Sequence, residues 1–143
     1  MKGASIIEII VIVAIIGLLA SFSTLTYNTW RAQNELNVAL SNSVDNFRRA
    51  QTLSEIAQND SNWGVKFETG SITVFKGTSF DDIGRDLTKD EKISLPSSVV
   101  FSGLTEVVFN KLSGYPQSTG SLTITRINDT KQITINSKGS IQY

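Results

Sequence analysis

From Ile6 to Phe22 the chain is almost unbroken hydrocarbon, and the one charged residue in that run, Glu8, stands near its start. Beyond the run the pattern becomes amphipathic. Leu36, Leu40, Ser43, Phe47, Ala50, Ser54 and Ala57 recur at steps of three and four, with Leu53 and Ile56 beside that stripe. Asn34, Glu35, Asp45, Arg48, Arg49 and Glu55 fall mostly elsewhere, as expected of a helix with one face in a core. The pattern predicts one helix from about Ser5 to about Ala57, roughly 80 Å long at about 1.5 Å per residue. A domain of this size cannot bury such a helix, so its first half needs another environment. The polar cluster Gln58-Asn59-Asp60-Ser61-Asn62 ends it.

From Trp63 the period changes to strict alternation: Trp63, Val65 and Phe67 share one side, Gly64, Lys66 and Glu68 the other. Thr69-Gly70 marks a turn into Ser71–Phe75, giving a hairpin. Ile93–Leu95, Val99–Phe101 and Glu106–Phe109 read as short strands, and Ser121–Ile127 and Gln132–Asn136 as a second hairpin around Asn128-Asp129. Lys138-Gly139 turns a last strand, Ser140–Tyr143, back on the sheet. The fold class is α+β: an antiparallel sheet packed on the amphipathic half of one long helix.

At 143 residues the chain has room for one ordinary domain plus an extended element. Thirteen basic and thirteen acidic side chains cancel, leaving no global field to attract nucleic acid. With no cysteine and no histidine, disulfides, thiolate or imidazole metal sites and Ser-His catalysis are excluded. The remaining residues assemble no nucleophile-base set, so no enzymatic activity and no cofactor are expected.

Three readings compete for the N-terminal segment. A signal peptide needs a small-residue cleavage site after its apolar region; Ala20-Ser21-Phe22-Ser23 is a poor one, and Glu8 inside the region opposes it. A plain membrane anchor fits the length, since about 17–25 apolar residues span a bilayer. Neither explains why Gly3 and Glu8 stand five apart at the start of the run. Lys2-Gly3-Ala4-Ser5-Ile6-Ile7-Glu8 followed by IIVIVAIIGLLAS resembles the leader junction and N-terminal helix of type IV prepilins and type II secretion pseudopilins. Phe47-Arg48-Arg49-Ala50-Gln51, Trp63-Gly64-Val65 and the terminal Lys138-Gly139-Ser140-Ile141 are similar to the GspH/FimT type of minor pseudopilin.

The resemblance implies a pilin-like fold and a prepilin peptidase that cuts between Gly3 and Ala4 and methylates the new amine. It divides the chain into a leader, 1–3, a transmembrane and assembly helix, 4–26, and a globular domain, 27–143, made of a helix half, 27–57, and a sheet, 63–143. It implies a structural subunit of a pilus or secretion filament, with other pilin subunits and the cytoplasmic membrane as partners. Lys2 and the Met1 amine place the N-terminus inside and the globular part outside. Many pilins have a disulfide, a proline after the apolar run and Phe where Ala4 stands, and this chain has none of them.

Glu8 carries the strongest physical argument, because an unpaired carboxylate just inside hydrocarbon should protonate or find a cation. The mature amine of a neighbouring subunit is the nearest that assembly delivers; snorkelling to the interface is the alternative. Asp81, Asp82 and Asp86, near Asp90 and Glu91, form a candidate cation loop, but the spacing fits no EF-hand and Arg85, Lys89 and Lys92 oppose it, so a solvated loop is the preferred reading. Lys111, Arg126, Lys131 and Lys138 are the basic residues available to a second function, a tip pilin that captures DNA or a surface. Without interleaved aromatics or net positive charge, nucleic acid is not the expected partner.

Overall fold

In a computed structural model, residues 5–127 and 129–143 are described, with the side chains of residues 22–26 outside that description. Gly3, Ala4 and the turn residue Asn128 therefore lie outside the described residues. Helix α1 runs from Ile6 to Glu55. It starts where the Ser5 carbonyl accepts from the Glu8 and Ile9 N–H groups, at 3.0 and 3.2 Å. It stops where Ala57 turns left-handed at φ 51°, followed by Asn59 and Asp60, both at φ 53°. Ile56, expected beside the buried stripe, falls past the helix end and is exposed.

Eight strands follow among the described residues: β1 Trp63–Glu68, β2 Ser71–Lys76, β3 Glu91–Ser94, β4 Val100–Gly103, β5 Glu106–Phe109, β6 Gly120–Arg126, β7 Asp129–Ile135 and β8 Ile141–Gln142. They form two four-stranded antiparallel sheets, ordered β3-β2-β1-β5 and β4-β6-β7-β8, where the alternation suggested one. Gly103 stands at one of the crossings between the sheets, the others being between β3 and β4 and between β5 and β6. Its φ of 81°, and a Cβ position only 2.5 Å from the Ser121 carbonyl oxygen, admit no side chain without strain. There the chain leaves β4 in one sheet and enters β5 in the other.

Two compact units emerge, Met1–Asn34 and Glu35–Tyr143. Among the described side chains of α1, Leu36 is the first large apolar one to be buried. In the second unit the predicted helix stripe meets both sheets. Phe47 of α1 packs 4.8 Å from Phe67 of β1, which lies 5.3 Å from Phe101 of β4. Val65, Val74, Val107, Leu122, Ile124 and Ile133 close the core around them. Ser54, buried in the helix, accepts the Trp63 N–H at 2.9 Å and donates to the Phe109 carbonyl at 3.0 Å, tying the helix end to β1 and β5. The Trp63 indole N–H donates to the Gln58 carbonyl.

The outer face of the first sheet is covered too. Phe75 lies on that face opposite Gly64, where a Cβ would meet its ring at 2.5 Å. Phe80 packs edge-on against Phe75, and the Arg85 guanidinium sits 4.4 Å from the Phe80 centroid while pairing with Asp90.

Candidate functional site

The first half of α1 is apolar on every side, so no rotation of the helix hides its hydrocarbon. Ile6, Ile10 and Leu19 are 76, 62 and 67% exposed, and the neighbouring Ile, Val and Leu side chains are comparable. The Ser21 hydroxyl donates to the Gly17 carbonyl at 2.8 Å, which satisfies a polar group within the run. Glu8 is exposed in the first turn, where a negative charge complements the helix dipole. Among the described residues, no helix is long and apolar enough to cross a membrane.

The acidic loop spends its carboxylates on local turns. Asp82 accepts the Gly84 N–H at 3.1 Å. Asp86 caps the short turn Leu87–Lys89 by accepting from the Thr88 hydroxyl at 2.6 Å and its N–H at 3.1 Å, which hold its carboxyl below the usual carboxylate range. Asp81 is exposed. Asp90 belongs to Arg85, and Glu91 to Arg49 through contacts of 2.5 and 2.6 Å. Among the described residues no group of three or more such side chains converges as a metal site.

Of the four basic residues, two are already engaged. Lys111 pairs with Asp60 at 2.7 Å and lowers that carboxyl. Arg126 pairs with Glu35 at 2.7 Å, with the two side chains only 11 and 13% exposed; Ser98 donates to the same Glu35 oxygen. The Arg126 Nη1 is buried without a hydrogen-bond partner. The sequence does not reveal this pair, since 91 positions separate its members. Lys66 and Glu106 pair at 2.9 Å on the outer face of the first sheet; burial alone would raise the Glu106 carboxyl, but Lys66 and the Phe80 N–H together hold it low. A surface cleft of about 310 Å³ is lined by Asp45, Arg48, Arg49, Thr52 and Leu53, and a second of about 180 Å³ adjoins Glu106.

The described surface thus has one extended feature that its own chain leaves uncovered, the apolar half of α1. The chain matches no family model and no curated protein sequence. Among solved structures it is similar to the minor pseudopilin EpsH from the type 2 secretion system of Vibrio cholerae, at a TM-score of 0.53 and 11% identity, covering 76% of this chain and 94% of that one. The fold is pilin-like. That likeness agrees with a helix packed on antiparallel sheet, as the sequence pattern predicts. It carries no residue from one chain to the other.

Proposed function

We propose that this chain is a minor pilin or pseudopilin, a structural subunit with no catalytic role, which joins a filament through its N-terminal helix. The supporting observation is the conjunction of a pilin-like fold with an apolar helix half whose described large side chains are all exposed. Such a surface is stable in hydrocarbon before assembly and against neighbouring helices afterwards. The membrane span takes in Phe22–Thr26 by sequence, with the N-terminus in the cytoplasm. Prepilin peptidase cuts between Gly3 and Ala4, and Glu8 then pairs with the mature amine of the next subunit. Protein recovered from cells that hold a prepilin peptidase should lack Met1–Gly3 and carry one methyl on Ala4; full-length chains in isolated filaments would refute this. Capture of DNA gains no support, because Lys111 and Arg126 are held by Asp60 and Glu35.

A further inference from the structure

Two aromatic side chains follow the apolar run on the same helix, and the exposure of the tryptophan is out of character for a folded protein. Tyr27 and Trp30 stand three residues apart, hence on one face of α1, at 60 and 64% exposure. The other tryptophan, Trp63, is 4% exposed and hydrogen-bonded, as the large apolar indole ordinarily is. Aromatic rings with a polar edge concentrate at the boundary between hydrocarbon and water, where ring and edge are both satisfied. The position of Tyr27 and Trp30 along the helix agrees with that boundary.

With Ile6 at the inner edge of the hydrocarbon, Tyr27 lies 21 residues on and Trp30 lies 24 residues on. At about 1.5 Å per residue these are about 32 and 36 Å from that edge. The hydrocarbon core is about 30 Å thick and the whole bilayer about 40–45 Å, so the outer headgroup zone occupies about 30–37 Å on the same scale. A helix tilt of about 20° shortens the two distances to about 30 and 34 Å, still within the zone. Both rings reach the outer interface when Glu8 sits about 3 Å inside the inner one.

From this register we infer that Tyr27 and Trp30 are an interfacial anchor for the unassembled subunit: they hold α1 at one depth in a phospholipid bilayer, with the rings among the outer headgroups. The anchor thereby fixes how deep Glu8 lies and which end of the helix is free to move when the subunit is extracted into a filament. A second copy packed over the same face is the competing occupant. The inference rests on the proposed membrane insertion of α1 and adds to it a depth and the residues that set it.

The test uses the full chain reconstituted at low density in vesicles of phosphatidylcholine and phosphatidylglycerol, with flotation to confirm insertion. Fluorescence of Trp30 is isolated in the Trp63→Phe variant and, in case that variant unfolds, as the difference between the native chain and Trp30→Phe. A nitroxide on the lipid headgroup should quench Trp30 several-fold more than a nitroxide at the acyl chain end, and emission should shift to the blue on insertion. Stronger quenching from the chain ends overturns the anchor. So does the absence of quenching by either label in chains that float with the vesicles, the result expected if a second copy covers the ring. Chains that do not float refute the inserted helix itself, and the anchor with it.

Discussion

Two stretches of α1 share one backbone geometry and have opposite surroundings. From Leu36 to Ser54 the apolar positions form a single stripe, and Leu36, Ala39, Phe47 and Ala50 are buried against the strands. From Ile6 to Leu19 the apolar positions go all the way round and every large one is exposed. The contrast teaches that the period of the pattern, more than its hydrophobicity, decides whether a helix can be satisfied by its own chain. Eleven exposed Ile, Val and Leu side chains in that first stretch represent on the order of 10–20 kcal/mol of unrealised transfer free energy, which another environment must supply.

The largest effect should come from separating the two stretches. A fragment beginning at Tyr27 retains Leu36, Phe47 and both sheets, and should be a soluble, folded monomer by sedimentation and circular dichroism. The full chain should need detergent or lipid. If the fragment aggregates or is unstructured, the stripe from Leu36 onward does not suffice to cover the sheets, and the contrast fails.

A smaller effect is expected at the Glu35–Arg126 pair, within the second stretch's own unit. Replacing Arg126 by Leu removes the guanidinium that meets the largely buried Glu35 carboxylate at 2.7 Å, and should cost about 2 kcal/mol in denaturant unfolding, the scale of a charged hydrogen bond. The double variant Glu35→Leu, Arg126→Leu should recover most of that, because the pair is imperfect: Arg126 Nη1 is already buried without a partner. Equal losses in single and double variants would mean that the pair is worth more than its geometry implies.

Much of this division was legible in the sequence. The stripe from Leu36 to Ser54, the β1–β2 hairpin turning at Thr69-Gly70, and β5 from Glu106 to Phe109 all follow from local period and turn chemistry. What was not legible depends on residues distant in the chain. Phe80 and Arg85 return to cover Phe75, a contact that the local alternation of β1 and β2 does not announce. The split into two sheets depends on which distant strands pair, β5 with β1 and β4 with β6, and no local periodicity encodes that. Asp82 and Asp86 look like ligands in a list of residues; in the fold they cap turns. For the candidate site the sequence supplies the residue types, and the structure adds that the apolar surface remains uncovered.

The central claim, that the subunit assembles through the first stretch of α1 with Glu8 as its charged contact, is tested most directly by incorporation of a Glu8→Gln chain. The side chain keeps its size and loses its charge, while the Gly3-Ala4 junction and the apolar run are untouched. Leader removal and membrane insertion should therefore match the native chain. Incorporation into filaments, measured by crosslinking or pull-down against the other subunits, should fall by more than tenfold, since breaking one partner of a charge pair in a low-dielectric setting costs about 3–5 kcal/mol. A Glu8→Gln chain that is processed and incorporated at the native level would contradict the account, leaving helix packing alone to set the offset between subunits.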